Sequence, residues 1–438
     1  MNKKENVKVN IIGAGLAGCE AAYQLAKRGF AVCLHEMKPV KFSPAHHEDT
    51  FAEIVCSNSL KSEELSTASG TLKKEIELLD SLALKVAREV RVPAGSALAV
   101  DRKLFSQRMT EEIKKLDNVE ISIGEVKEID PTYPTIIATG PLTSDNLSKA
   151  IFKLLDDESL YFFDASAPII DASSIDYSKT FSSGRYGKGE SDYINCPMNK
   201  DEYYNFVHEL TSATRVELHD FENTSVFEGC MPVEVMASRG EDTLRFGPLR
   251  PVGLLGKDGK RPFAVVQLRR ENTASELYNI VGFQTNLTFG EQKRVFSMIP
   301  ALNNAEFVKY GVMHRNTYIN SPKHLCADFS MKKYPFVFFA GQISGVEGYV
   351  ESIASGLIAG INMARKLKGQ ESLRLSTETI LGSLSKHIST GTPNFQPMNA
   401  NFGILEPLGQ VIKDKSQKKL AYSNRAVDNI IKLVEGGI

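Results

Sequence analysis

Apolar positions along this chain switch between two periods. Val7 to Ile12 and Ala31 to Glu36 are short runs rich in β-branched residues, and between them Leu16 to Arg28 repeats Ala and Leu at helical spacing. The pattern predicts a strand, a helix and a second strand, a β-α-β unit opening the chain. From about Lys61 to Val90 the positions Leu72, Ile76, Leu79 and Leu82 recur every three or four residues, ahead of a turn at Pro93 to Gly95, and predict helices. Thr135 to Ala138 reads as a strand that must end at Thr139-Gly140-Pro141, because proline cannot continue the pattern. Between about Ser191 and Ser321 the character changes to strands with interspersed Gly and Pro, among them Ala264 to Leu268 and Tyr278 to Phe283. One more buried strand, Phe336 to Phe339, and one more helix, Ser352 to Leu367, precede a partly basic C-terminal region.

At 438 residues and 42% hydrophobic content the chain exceeds one ordinary core, so one large domain with an insertion is expected. We place the boundaries at 1–190, 191–322 and 323–438. Lys plus Arg number 52 against 53 Asp plus Glu, which excludes a bulk electrostatic attraction to nucleic acid or membrane and leaves only local patches. Six cysteines, at 19, 33, 56, 196, 230 and 326, form no CxxC pair, so neither a disulfide framework nor a zinc site is expected. No signal-peptide pattern and no long uncharged apolar run occur. A soluble, cytoplasmic protein that does not engage a membrane is the expectation.

Gly13, Gly15 and Gly18 form a GxGxxG at the predicted strand-to-helix turn, spanning Gly13-Ala14-Gly15-Leu16-Ala17-Gly18. Glycine there lets the turn tighten and lets the backbone approach a pyrophosphate at the helix N-terminus. Glu36 ends the second strand, placed to accept hydrogen bonds from a ribose. The motif alone does not separate NAD from FAD. Ala138-Thr139-Gly140 and the run Phe338 to Gly345, containing Gly341, Gln342 and Gly345, look like the further chain crossings of two-dinucleotide-fold flavoproteins, and favour FAD.

Two cysteines lie in loop-like settings: Cys56 in Val55 to Leu60, and Cys230 in Glu228 to Pro232. A thiol near a helix N-terminus or a cation ionises below its free value of about 8.5, as a nucleophile requires. Cys19 and Cys33, inside the first helix and second strand, read as small core hydrophobes.

Longer blocks narrow the reading. Pro44 to His47, Phe51 to Leu60 (FAEIVCSNSL), Val92 to Gly95 and Ala97 to Arg102 (ALAVDR) closely resemble the folate- and FAD-dependent tRNA uracil-5 methyltransferases called TrmFO. The resemblance continues through Ser191 to Met198 (SDYINCPM), Glu228 to Ala237 (EGCMPVEVMA), Asp242 to Gly253 (DTLRFGPLRPVG), Tyr278 to Thr285 (YNIVGFQT), Tyr310 to Asn316 (YGVMHRN) and Gly341 to Ser352 (GQISGVEGYVES), from Val9 to about Leu408. Related flavoproteins that modify the tRNA wobble uridine are considerably longer and lack the CSNSL block. The resemblance implies an α/β fold: a Rossmann-like FAD-binding domain with an inserted, sheet-containing α+β domain. It also implies passage of a one-carbon unit from 5,10-methylenetetrahydrofolate, by way of FAD, to C5 of a uridine, with NADH or NADPH as the expected reductant. Uracil C5 becomes nucleophilic only after a thiolate adds at C6, so such an enzyme needs a reactive cysteine. The family's two cysteines match Cys56 and Cys230. Cys56 is assigned to C6 attack and Cys230 to acid or base work, the reversed roles being open. Tyr349, in the GVEGYVES block, is expected to wall the flavin and folate pocket.

Positions 239 to 270 carry eight Lys or Arg (239, 245, 250, 257, 260, 261, 269 and 270) against three acids, a patch suited to phosphates. Lys413, Lys415, Lys418, Lys419 and Arg425 form a second basic stretch, equally well read as a solvated face. His46 and His47 have no third ligand at metal-binding spacing, so no metal is expected. The chain departs from the family in having no tryptophan, in Phe289 where many members carry Trp, and in Ser96 where glycine is usual. The resemblance implies tRNA as the substrate or, by the same chemistry, large-subunit rRNA. A flavin oxidoreductase of small molecules is the rival reading, and it leaves the paired loop cysteines and the basic segment without a role.

Overall fold

The computed structural model describes residues 7–157, 160–187, 192–216, 231–391 and 395–437. The opening β-α-β unit is present: strands Lys8–Ile12 and Ala31–Glu36 pair in parallel, Ile11 opposite Leu34, and flank helix Leu16–Ala26. They belong to a five-stranded sheet in the order Val337–Phe339, Thr135–Ile137, Lys8–Ile12, Ala31–Glu36, Val119–Ile123, all parallel. Strands buried on both faces need continuous apolar runs. Val9, Ile11, Ile136, Val337, Phe338 and Phe339 are accordingly fully buried.

Helix Tyr349–Leu367 lies on helix Leu16–Ala26 at very close range. A Cβ on Gly356 would stand 2.2 Å from the Ala17 carbonyl oxygen, so only glycine permits this crossing. The stretch read as helical from Lys61 contains helices Ala68–Leu78 and Leu82–Glu89, capped by Thr67 and Ser81, but begins with a strand, Ser59–Ser62. That strand pairs with Ala97–Val100, a contact from a distant segment that periodicity does not register.

A second, antiparallel sheet has six strands in the order Phe181–Ser182, Tyr193–Met198, Ala264–Arg270, Leu277–Ile280, Ile169–Asp171, Phe307–Lys309. Our sequence boundary opened this unit at 191, yet strand pairing brings Ile169–Asp171 and Phe181–Ser182 into it. Strands of two or three residues are too short to show a period. Strands Leu160–Ala165 and Met313–Tyr318 form a separate antiparallel ribbon where the chain passes between the two sheets. Each large sheet has its own apolar core. Among the described residues no helix is long and apolar enough to cross a membrane.

Candidate active site

The turn after the first strand is built by three glycines with three different reasons. Gly13 has φ +100°, and a Cβ there would stand 2.7 Å from the Ala138 carbonyl oxygen. A Cβ on Gly18 would lie 1.8 Å from the Gly13 carbonyl oxygen, so this glycine lets helix and strand touch. Gly15 differs from both. Its φ of −76° and ψ of −170° suit any residue, and the nearest protein atom to a Cβ would be Ala138 O at 4.0 Å. The space a side chain would fill there is the cleft. No side chain caps helix Leu16–Ala26, which begins at this point.

Glu36 closes the same cleft from the second strand. Its carboxylate accepts from the Ala14 and Lys38 backbone nitrogens, each at 3.0 Å. An ionised carboxylate has about four acceptor positions, so two are left for a ribose diol. This cleft is lined by Gly13, Ala14, Gly15, Glu36, Thr139 and Ser144 among others. A second continues from it through Gly15, His46, Glu53, Ala138 and Thr139 and runs past Leu16, Ala17, Gly140, Gly341 and Gln342 to Cys56 and Tyr349. The glycine-lined entry, the acidic strand end and the length of the joined clefts fit an extended dinucleotide.

The cysteine end is rigidly tied. Tyr349, the first residue of its helix, accepts at its phenol oxygen from the backbone nitrogens of Cys56 at 2.8 Å and Ser57 at 3.2 Å. Burial, then the nearby Cys56, pushes the Tyr349 hydroxyl above its ordinary value, so it keeps its proton. Arg102 donates to the carbonyls of Ile54 at 3.2 Å and Val55 at 2.9 Å while its other edge meets Glu271 at 2.6 Å. Burial opposes its charge and Glu271 outweighs burial, so the guanidinium is held firmly charged. Lys61 pairs with the fully buried Glu351 at 3.1 Å. Of the two sources of activation considered for a loop thiol, a helix N-terminus or a cation, the first is not present here, because strand Ser59–Ser62 follows the Cys56 loop. The positive charge near the thiol comes from Arg102 and Lys309, both of which interact electrostatically with it.

The rest of the CSNSL block reaches across to the six-stranded sheet. Arg269 donates to Asn58 Oδ1 at 2.9 Å and Ser57 Oγ at 2.8 Å, and Asn58 donates to the carbonyls of Val100 at 3.1 Å and Arg270 at 2.8 Å. Asp101 accepts from the nitrogen and hydroxyl of Thr273, the Gly95 nitrogen donates to Asp192, and the Tyr193 hydroxyl donates to the Ala94 carbonyl. The ALAVDR block, which contains the strand paired with Ser59–Ser62, and the VPAG block before it are therefore joined to the six-stranded sheet and to the SDYINCPM block within it.

Several expectations change here. Arg269, counted among phosphate-binding cations, is buried against the cysteine loop. Arg245 forks between Asp242 and the Phe263 carbonyl and lies 3.7 Å over the Phe263 ring. Lys257, Lys260 and Arg261 remain exposed and share a groove with Lys179 and Lys200. Gly345 does not line the cleft: a Cβ there would strike the Phe395 ring at 2.3 Å. Cys19 and Cys33 are buried, and burial raises both thiols. Cys230 lies outside the described residues. His46 and Glu53, not assigned to the cleft from sequence, line both of its halves. Glu53 gathers Lys38 and the His47 and Glu48 nitrogens, and burial followed by the Lys38 charge lowers His46 to about 4, leaving it neutral. Their shared PAHHEDTFAE stretch was the available signal. Among the described residues no three His, Cys, Asp or Glu side chains are grouped to hold a metal.

A parallel sheet with this glycine turn and acidic strand end, whose joined clefts run to a tethered thiol, defines a dinucleotide-binding protein with a cysteine at the far end of its site. Comparison with known proteins narrows the class. Residues 8–371 match the family described as glucose inhibited division protein A. The methylenetetrahydrofolate–tRNA-(uracil-5-)-methyltransferase TrmFO of Acetivibrio thermocellus is 56% identical over 421 residues, covering 96% of this chain and 97% of that protein. That of Bacillus licheniformis is 55% identical over 427 residues, 97% and 98% of the two chains. The chain belongs to this family. Among solved structures, Aquifex aeolicus GidA superposes with a TM-score of 0.71 at 17% identity, over all of this chain and 74% of that one, and shares the fold.

Proposed function

We propose that this chain methylates C5 of a uridine in tRNA, with 5,10-methylenetetrahydrofolate as one-carbon donor, FAD bound in the joined clefts, and NADH or NADPH as the source of electrons. The observation that carries the reading is the position of Cys56 at the end of a cleft that starts at the glycine turn and Glu36. Relatives more than half identical over nearly the whole chain carry this activity in their names. FAD held there supplies carriage of the carbon unit and the electrons that bring it to the methyl level.

Gly13, Ala14 and Gly15 would hold the pyrophosphate, with Glu36 on the ribose and Gly18 letting the helix come close behind them, while Leu16, Ala17, Gly140, Gly341, Gln342 and Tyr349 would face the ring end. Cys56 Sγ adds to uracil C6, which moves electron density onto C5. Once C5 has gained its carbon, Cys230 takes the C5 proton, the C5–C6 double bond re-forms and Cys56 leaves as thiolate. Arg102 and Lys309 favour that thiolate at both ends of the cycle. The inserted unit holding the six-stranded sheet closes on the cysteine loop, and the protein works in the cytoplasm.

The test uses purified chain, labelled folate and tRNA transcript. Label should appear in 5-methyluridine, Cys56→Ala should abolish its transfer while the protein stays yellow, and Cys56→Ala protein should form no covalent adduct with RNA carrying 5-fluorouridine. Adduct formation by Cys56→Ala but not by Cys230→Ala would reverse the two thiol roles. A colourless protein with no folate-dependent labelling of RNA would overturn the reading.

A further inference from the structure

Residues 265, 267 and 269 of strand Ala264–Arg270 point away from the apolar core, which takes Ala264, Val266 and Leu268. On that outer face Val265 packs with Phe181 and Leu254, Gln267 accepts from Arg185 Nε at 3.0 Å, and Arg269 holds Ser57 and Asn58. Two loops of the six-stranded sheet and the Cys56 loop thus sit side by side. Gln267, which Arg185 holds, lies one strand repeat, about 7 Å, from Arg269, the residue that grips the neighbour of Cys56.

Arg185 also donates to the Val252 carbonyl at 2.9 Å, and the Tyr186 nitrogen donates to the Gly253 carbonyl at 3.1 Å, locking these loops together. The result is an odd display. Tyr186 has φ +58°, a left-handed conformation that bulky side chains rarely adopt, yet the residue is 65% exposed. No burial of the ring accounts for the strain, which points to a function for its placement. Gly253, at φ +86°, underlies the ring: a Cβ there would come within 3.0 Å of its Cε1 and Cζ. The exposed Arg250 lies close enough that its charge acts on Arg185. None of these residues lines the cleft that ends at Cys56. A small molecule inside the cleft would not reach them, whereas a polynucleotide with one base in the cleft extends beyond it, and this face adjoins the Cys56 loop.

We infer that Tyr186 and Arg250 form a binding platform for the RNA nucleotide adjoining the target uridine, the base stacking on the Tyr186 ring and its phosphate meeting Arg250. The inference rests on the proposed function for the identity of the RNA. An aromatic face beside a cation suits this ligand because every base has a π-face, and stacking needs no sequence-specific contact.

The test is affinity for tRNA at one fixed salt concentration, together with KM for RNA and for folate, in the full flavin-loaded chain. Tyr186→Ala should weaken RNA binding about tenfold and raise KM for RNA more than it changes kcat, with flavin content and KM for folate as in the native protein. Tyr186→Phe and Tyr186→Trp should bind as the native chain does. Arg250→Ala should flatten the dependence of log affinity on log salt by about one unit. Unchanged RNA affinity in Tyr186→Ala, failure of Tyr186→Phe to restore it, or a rise in KM for folate instead would overturn the platform. If the native chain binds tRNA but transfers no carbon to it, the functional reading falls, and the affinity of Tyr186→Ala still decides the platform.

Discussion

The phenol oxygen of Tyr349 stands 2.8 Å from the backbone nitrogen of Cys56, a contact between residues 293 positions apart. With its second bond, to Ser57 at 3.2 Å, it fixes the cysteine loop to the start of the helix that packs on the glycine turn. The thiol and the dinucleotide cleft are thereby held in one frame. Tyr349→Phe keeps the ring but strips both backbone donors of their acceptor, at a cost of about 1–3 kcal/mol in loop positioning. We expect kcat/KM for methylation to fall roughly ten- to a hundredfold with flavin retained. Steady-state kinetics beside the absorption spectrum of the flavin checks this, and unaltered kinetics would show that the loop is held by other means.

Gly15 and Gly18 make opposite demands although both belong to one motif. Gly15→Ala puts a methyl group into the cleft and touches no protein atom closer than 4.0 Å. Gly18→Ala drives one to 1.8 Å from the Gly13 carbonyl oxygen, which forces helix and strand apart. The first variant should melt like the native apoprotein and lose flavin affinity by an order of magnitude or more. The second should be destabilised by about 1–3 kcal/mol or more, the ordinary cost of overpacking. Thermal melts of flavin-stripped protein and flavin titration separate the two.

What could be read in advance follows from how local each constraint is. The glycine turn, the strand ending at Glu36 and the helix after Gly341 are visible because backbone conformation and apolar period are set by neighbours in the chain. Cys56 was legible as a loop thiol, but its tether to Tyr349 and its neighbours Arg102 and Lys309 arise from segments far away in sequence. Arg269 shows the same limit from the other side. Counted with seven other cations it resembles a surface charge, and only the folded chain reveals that it is 7% exposed and bonded to the cysteine loop. Phe289, noted in the sequence only as a departure from the resemblance, stacks on Tyr310 with ring centroids 4.8 Å apart, a contact that no local pattern announces.

Arg269 carries a prediction of its own. Its guanidinium spans Asn58, fully buried, and Ser57, partly buried, and burial is the main force lowering its hold on a proton. Arg269→Ala leaves the Asn58 carbonyl oxygen without that donor and removes a link between the six-stranded sheet and the cysteine loop. Hydrogen bonds from a charged donor contribute about 1.5–3 kcal/mol each, so a stability loss of roughly 3 kcal/mol is expected. Methylation should fall further than stability alone accounts for, because Ser57 adjoins the thiol. Urea unfolding together with activity measured well below the transition checks both parts. A neutral outcome would mean the joint is carried by Arg102–Glu271 and Asp101–Thr273.

Glu75 gives the fold a pH signature unrelated to the reaction. Its carboxyl is fully buried and accepts from the Ile380 and Leu381 nitrogens, both at 2.8 Å, at the start of helix Ile380–Ser389. Burial raises it from 4.5 to about 7, against the lowering effect of those two donors. Between these values the folded chain keeps the proton and the unfolded chain releases it, so this residue's contribution to stability declines as pH rises from about 4.5 to 7 and is level above that. A shift of this size amounts to about 3 kcal/mol across the window. Glu75→Gln removes the titration while keeping one acceptor for the helix. The difference in unfolding free energy between variant and native chain should therefore move in favour of the variant as pH climbs from 5 to 7.5. Urea titrations of both proteins at several pH values measure it. A difference that stays constant across that range would mean that Glu75 is ionised in the folded chain throughout, with the helix N-terminus compensating in full for its burial.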